Sequence, residues 1–336
     1  VGLSTYILPH NFRELCQASI DYLHGKKFVL YPDFFTGGII DVSDYNDGQR
    51  GGKVKVRARI EKEDNKTLVI REIPFGTTTT SLIDSIVKAN EKGKIKIKRV
   101  DDNTSREVEI LIHLQPGTDP QVAINALYAF TDCEKSLSPC TCVIVDKHPK
   151  FLGVSEILKM NTDHTVKLLQ WELNNELKHL EDKWHMTSLE KIFIEKKVYQ
   201  VIENAKSREE MIQLINDGLA PYVKKMLRRE VTEEEIVKLA EIPIRRISRF
   251  DRKKADELLS ELDESIAKNK YNQEHITAYA VDHFKNILKK YGEGKERKSE
   301  IAEFGKVEAV HVAIANQKLY VNRKEGFLGT GMTKEE

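Results

Sequence analysis

The sequence predicts an α+β domain followed by a mainly α region, in which a long antiparallel coiled-coil arm carries a small helical globule at its tip. Three observations lead there. Residues 26–150 hold short alternating or β-branched runs separated by Gly, Pro and Asp clusters, the pattern of strands and turns. Val166, Leu169, Leu173, Leu177, Leu180 and Trp184 then recur every three or four residues, close to a heptad seam, and Ile276, Ala280, Phe284, Ile287 and Tyr291 repeat that spacing far downstream. Between the two seams lie shorter amphipathic stretches broken by Asp217-Gly218, Pro221 and Pro243, which suit a compact cap.

Each element has a local reason. Asn11 is placed to cap a helix that starts at Phe12, and His10 to order the Pro9-His10-Asn11 turn. Residues 54–60, 67–73, 94–100, 108–114 and 141–146 read as strands, and 81–91 and 120–131 as helices. The expected domains are 1–25 as a lead-in, 26–153 as the α+β domain, 154–195 with 262–292 as the arm, and 196–261 as the globule. An arm helix of ~40 residues would reach roughly 60 Å at 1.5 Å per residue. Trp171 and Trp184 read as seam or core. After Gly292-Glu-Gly-Lys-Glu-Arg-Lys298 the pattern turns to β again at 307–315 and 318–321, so 293–336 reads as a linker and the stub of a further β domain.

Charge is placed locally rather than globally. Lys plus Arg number 54 against 53 Asp plus Glu, a net charge of +1. Yet in Asp47-Gly-Gln-Arg-Gly-Gly-Lys-Val-Lys-Val-Arg-Ala-Arg-Ile60, strand alternation puts Lys53, Lys55, Arg57 and Arg59 on one face and Val54, Val56, Ala58 and Ile60 on the other, with Arg50 just ahead. Lys94, Lys96 and Lys98 alternate with Ile95 and Ile97 in the same way. Cationic strips backed by an apolar core suit a polyanion such as double-stranded DNA, whose affinity comes from counterion release at phosphates. A solvated sheet face is the plainer explanation of the same pattern.

Other classes are excluded. No apolar run approaches the ~20 residues that cross a membrane, and a cytoplasmic location is expected. Cys16, Cys133, Cys140 and Cys142 fit reduced thiols, and their spacing matches no common zinc site, so no metal is expected. The chain opens on Val1 and reads as an excised fragment.

Several short motifs share one source. Val1-Gly-Leu-Ser-Thr-Tyr-Ile-Leu-Pro-His-Asn11, Gly51-Gly-Lys-Val-Lys-Val-Arg-Ala-Arg59, Glu72-Ile-Pro-Phe75 and the run 242–251 resemble, in order and spacing, segments of the A subunits of bacterial type IIA DNA topoisomerases, DNA gyrase and topoisomerase IV. The resemblance covers about residues 1–300. It departs at Leu8, where the family has a first Pro, at Thr77-Thr-Thr-Thr80, where relatives often carry a Lys, and at Pro243-Ile244, where many have Arg-Leu. A tip helix that starts late or kinks is expected at Pro243.

The resemblance implies that the α+β part is a tower domain, that the arm's globule is a dimer interface or exit gate, and that Ile7 is the residue that wedges between base pairs and bends the bound duplex. Arg50, Lys53, Lys55, Arg57, Arg59, Lys94, Lys96 and Lys98 are the expected phosphate contacts. Leu239, Ile242, Ile244, Ile247 and Phe250, with Leu258, are the expected homodimer contacts, because one short helix cannot bury them all against a two-helix stalk. The family's nucleophile is a Tyr after an Arg, and none of the 11 tyrosines here follows an Arg, so no catalytic residue is expected in this chain. The resemblance also implies an A2B2 assembly in which the B subunit binds Mg²⁺ and ATP, so no cofactor is expected here. The alternative is a non-enzymatic coiled-coil scaffold with a nucleic-acid-binding α+β head.

Overall fold

The computed structural model describes residues 2–305 and the strands Tyr320–Asn322 and Phe327–Gly329. The chain forms two compact units, Val1–Met160 with Phe284–Glu336, and Asn161–His283.

The first unit opens with α1 (Phe12–Leu23), which starts where the sequence places it. Asn11 Oδ1 accepts hydrogen bonds from the backbone amides of Arg13 and Glu14, satisfying two donors that a helix start leaves open. Next come β1 (Ile39–Asp41), β2 (Val54–Arg57), β3 (Arg59–Lys62) and β4 (Thr67–Glu72), then α2 (Thr79–Glu91), β5 (Ile97–Asp102), β6 (Ile110–Leu114) and α3 (Pro120–Phe130). The strands β7 (Glu134–Leu137), β8 (Cys142–Val145) and β9 (His148–Phe151) follow, and β10 (Glu300–Ile301) arrives much later in the chain.

The expected strand 54–60 is two strands. Ala58 is fully buried and its amide donates to the Cys133 carbonyl at 2.8 Å, so the chain leaves one sheet and enters another at that residue. One sheet has the order β10-β1-β2-β7, with β10 parallel to β1 and the rest antiparallel. The other is antiparallel, β3-β4-β6-β5. Leu68, Ile70, Ile110 and Ile112 pack there against Leu82 and Ile86 of α2 and Leu127 of α3. A second core gathers Leu8, Leu30, Phe34, Ile40, Tyr45, Val54 and Val56. The unusual run at Thr77–Thr80 is a helix start, where Thr78 and Ser81 form a reciprocal capping box on α2.

Residues 293–304 are not the expected linker. They return to the first unit and finish its sheet, where Ile39 and Ile40 pair with Glu300 and Ile301. Arg297 donates to both Glu14 carboxylate oxygens at 2.6 Å and to the Pro32 and Tyr31 carbonyls at 2.8 and 3.0 Å. Ser299 Oγ accepts from the Phe34 amide at 2.8 Å. The charged composition that reads as linker is used for specific pairing instead. The expected strand at 307–315 lies outside the described residues, and beyond it Tyr320–Asn322 pairs antiparallel with Phe327–Gly329.

The 42-residue helix α4 (Val154–Glu195) begins in the first unit and runs on into the second. After a short 3-10 turn come α5 (Arg208–Met226), α6 (Glu233–Ala240), α7 (Ile244–Ser248), α8 (Arg252–Glu274) and α9 (Ile276–Tyr291). Glu195 pairs with Arg252, Lys191 with Asp256, Glu181 with Lys270 and Glu176 with Asn269. From Glu181 through Lys191 to Glu195 the partner's number falls from 270 through 256 to 252, so α4 and α8 run antiparallel. Leu169 and Leu173 are buried and Val166, Leu177, Leu180 and Trp184 half-buried, so one stripe of α4 is apolar and covered. Trp171 is 66% exposed and belongs to neither seam nor core. The return path starts at Arg252, ahead of the expected 262, and breaks at His275, whose ring stacks on Tyr271 at 4.1 Å between centroids. The α7 helix starts directly after Pro243, its N-cap residue, which is extended at φ −63° and ψ 141°.

Candidate nucleic-acid interface

Ile7 lies on an extended segment pinned on three sides. Tyr6 exchanges two backbone hydrogen bonds with Cys140, at 2.8 and 3.0 Å. Leu8 is 2% exposed and inserts into the core, taking the place of the family's Pro. Asn11 caps α1 and donates from Nδ2 to Asp33 at 2.8 Å, while His10 Nε2 lies 3.0 Å from the Tyr45 hydroxyl. Burial holds the His10 imidazole below its ordinary value, against the opposing pull of a hydrogen bond with the Leu8 backbone. Between these anchors Ile7 stays 46% exposed. The expected apolar wedge is therefore a solvent-facing side chain on a fixed backbone.

The first cationic strip is divided by its own carboxylates. Lys53 and Lys55 are exposed. Arg57 turns inward, its Nε 2.6 Å from Glu134 Oε2 and its guanidinium over the Tyr128 and Phe304 rings at 4.6 and 4.0 Å. Arg59 donates from Nε to Glu72 at 3.1 Å and from Nη2 to Glu300 at 2.8 Å. Hydrogen bonds to Glu300 and Glu72 raise its pKa further. The expectation of four equivalent cations on one face is thus corrected. Cross-strand register puts Glu134 beside Arg57, and the bend at Ala58 carries Arg59 into the second sheet. Asp41 stands opposite Lys55 across β1 and β2.

Gly52 explains why the loop before the strip is glycine-rich. A Cβ there would sit 2.3 Å from the Tyr45 carbonyl oxygen, so no other residue fits without moving the backbone. The loop presents Arg50 on a hollow of about 350 Å³ that it lines with Leu3 and Phe151.

In the second strip, Lys94, Lys96 and Lys98 are exposed while Ile95 and Ile97 are buried, as alternation requires. A register shift between Ile97 and Arg99 ends the alternation, so Lys98 and Arg99 are both exposed. Lys94 Nζ lies 5.3 Å from the Phe130 ring centroid. Lys55 and Arg57 lie on the first sheet, whereas Arg59 and Lys98 lie on strands of the second.

The expected dimer contacts separate by burial. Leu239 is fully buried in the globule's own core with Ile236, Leu219, Ile215 and Phe193, which removes it from the surface. Ile242, Ile247 and Phe250 are half-buried against that core. Ile244 is 84% exposed at the start of α7. Phe250 and Leu258 line a neighbouring hollow of about 580 Å³ with Pro243, Arg245 and Arg249.

The sequence also withheld some partners. Strand β9 was not legible as a strand, and Glu134, Glu300 and Phe304 were not legible as the groups that engage Arg57 and Arg59. A signal for β9 exists in Asp146-Lys147, the two-residue turn that closes the hairpin with both residues at positive φ.

No helix of the described residues is long and apolar enough to cross a membrane. Residues 1–285 match the family model described as the DNA gyrase/topoisomerase IV A subunit. The chain is 37% identical over 332 residues to the DNA topoisomerase 4 A subunit of Borreliella burgdorferi, covering 99% of this chain and 53% of that protein. It is 28% identical over 327 residues to the DNA gyrase A subunit of Brachyspira hyodysenteriae, covering 90% of this chain and 37% of that protein. It is 30% identical over 287 residues to the DNA gyrase A subunit of Lawsonia intracellularis, covering 80% and 34%. The chain thus spans about half the length of the first relative and about a third of the other two. By its motifs and by this match along most of its length, the chain belongs to the family of DNA gyrase and topoisomerase IV A subunits.

Proposed function

We propose that this chain is the DNA-bending and dimer-forming part of a type II topoisomerase A subunit. The first unit would be the tower that receives the gate duplex. The antiparallel helices α4 and α8 with α9 would be the coiled-coil arm, and the globule of α5 to α7 the exit gate through which a second duplex leaves. The observation that carries the reading is Ile7, exposed by 46% on a segment that Leu8, Asn11 and Tyr6 hold rigid. An apolar wedge spends a few kcal/mol unstacking a base step, and gains it back when the bent duplex touches more protein. A loosely held side chain could not do this, because the duplex would displace it rather than open.

The cations that support this reading are Arg50, Lys53, Lys55, Lys94, Lys96 and Lys98, whose ammonium and guanidinium groups would track phosphates without reading sequence. Arg57 and Arg59 would act from behind, fixing the strand that carries Lys53 and Lys55. Strand scission is not assigned to this chain's tyrosines. Burial raises the Tyr45 phenol, and it pushes Tyr128 up to about 12, so both stay protonated and poorly nucleophilic. ATP and Mg²⁺ would be bound by a B subunit in an A2B2 assembly.

The test is end-to-end fluorescence transfer across a doubly labelled duplex bound to the full-length A subunit with its B subunit. Ile7→Ala should leave the duplex bound but straighter. A bend unchanged by that substitution would overturn the reading.

A further inference from the structure

The hairpin of β8 and β9 stands apart from both sheets as a two-stranded ribbon. Such a ribbon is marginal in water by itself, so its base must be held. It is held by the segment that carries Ile7. The Cys142 amide donates to Thr5 Oγ1 at 3.1 Å, the Thr5 hydroxyl reaches the Cys140 carbonyl, and Tyr6 pairs with Cys140. Directly opposed residues share a face, so Cys142 with Phe151 and Ile144 with Pro149 make one wholly apolar side. Ile144 is 78% and Phe151 48% exposed, next to Leu3 at 51%. Beyond it, the turn at Asp146 and Lys147 holds both residues at positive φ, of 52° and 67°, a strained conformation for residues with a Cβ. The turn thereby fixes a lysine at the ribbon's tip.

We propose that the apolar face of this hairpin is a second contact to duplex DNA, pressing Ile144 and Phe151 against the sugar edges of a minor groove beside the step opened by Ile7. Two features favour DNA over another protein surface. The charge around the face is positive, with Arg50 lining the same hollow as Phe151 and Leu3, exposed Lys147 at the ribbon's tip, and Asp146 as the ribbon's only carboxylate, while Lys150, opposite Val143, lies on the other face. The base of the ribbon is also hydrogen-bonded through Tyr6 and Thr5 to the segment that bears the wedge. Ribbons and sheets do enter grooves with apolar side chains flanked by cations. The proposal rests on the DNA reading of Ile7, and its test separates the two.

The experiment uses the full-length A subunit in complex with its B subunit on a labelled duplex. A benzophenone amino acid placed at position 144 should crosslink to the DNA on illumination. Crosslinking within its own chain or to the B subunit would overturn the proposal, because the face would then be covered by protein. Ile144→Thr keeps strand propensity and removes apolar surface, and should weaken duplex binding roughly fourfold, the worth of about one buried methylene. The salt dependence should not change, since no phosphate contact is lost. Unchanged affinity, or a drop in the melting temperature of the DNA-free protein, would count against it. If Ile7→Ala straightens the duplex while position 144 is silent, this proposal alone falls. If position 144 crosslinks to DNA and Ile7→Ala leaves the bend intact, the wedge reading falls and the hairpin contact stands.

Discussion

Arg59 is held by Glu300, a residue 241 positions later in the chain, with Nη2 2.8 Å from the carboxylate oxygen Oε2. Glu72 takes the same guanidinium at 3.1 Å through Nε. The side chain of Arg59 is 30% exposed and that of Glu300 57%, so solvent screens the pair and its worth lies more in geometry than in energy. It joins the strand after Ala58 to the edge strand that the chain's late segment adds. A basic residue that the sequence offers to phosphate is here spent on joining two distant parts of one unit.

The first prediction separates exposed from occupied cations. In the full-length enzyme, Lys53→Ala and Lys55→Ala should each reduce the slope of log K against log salt by about 0.9, the value of one phosphate contact. Arg59→Ala should leave the slope unchanged. Filter binding between 50 and 200 mM salt measures both. Equal slope changes at all three positions would mean that the carboxylates release Arg59 when DNA binds.

Much of the fold was legible because it rests on periodicity. The alternation at Val54, Val56, Ile95 and Ile97 places every one of those side chains in a core, and the spacing of Leu169 and Leu173 locates buried positions on one face of α4. Asn11 was legible as a cap because its chemistry is local. What escaped depends on long-range pairing. Nothing near Arg57 reveals that Glu134 and Phe304 will meet it, since those contacts exist only after the sheet closes. Residues 293–304 read as linker because Glu, Lys and Arg in a loop look solvated until the residues that bind them are placed. Leu239 and Ile244 have equal hydrophobicity, and only packing separates the buried one from the exposed one.

A second prediction concerns that late segment. Arg297 makes four hydrogen bonds, two of them charge-assisted to Glu14, and its side chain is 22% exposed. Burial lowers its pKa, but Glu14 outweighs that and leaves it raised. Arg297→Ala should cost about 2–3 kcal/mol, because a partly buried carboxylate and two carbonyls lose their donors. Denaturant unfolding would show the loss as a lower midpoint. Arg297→Lys should recover only part of it, since an ammonium cannot span Glu14 and both carbonyls.

Acid should loosen the second unit first around His185. This imidazole is 1% exposed and faces Glu235 at 3.4 Å, with Arg229 and Asp182 completing the cluster. Burial is the main cause that holds its pKa below the ordinary 6.5, with Arg229 acting in the same direction. The folded state therefore binds a proton less readily than the unfolded one. The stabilising difference is complete above about pH 6.5 and is lost as pH falls below it. Glu235 responds later; burial raises it, but Arg229 and the Thr232 amide together hold it lower than usual. Denaturation midpoints measured from pH 7.5 to 5 should fall for the parent chain and flatten for His185→Gln. A parallel fall in both would place the acid sensitivity elsewhere.

The last prediction tests the dimer through two residues of the same type of side chain and opposite burial. Ile244 is 84% exposed on α7, while Leu239 is fully buried one turn of structure earlier, in the core with Ile236 and Phe193. An exposed isoleucine next to the half-buried Ile247 and Phe250 is the apolar centre that a two-fold contact would cover, since the same patch on two copies is self-complementary. Sedimentation equilibrium of the chain at micromolar concentration should return about twice 38.6 kDa. Ile244→Asp should shift the mass towards monomer with an unchanged far-ultraviolet spectrum, because no buried contact is lost. Leu239→Asp should instead unfold the globule, as a carboxylate in an apolar core has no partner to offset its desolvation. If Ile244→Asp leaves the dimer intact, the contact lies on another face of the globule, and the exit-gate reading of this tip loses its support.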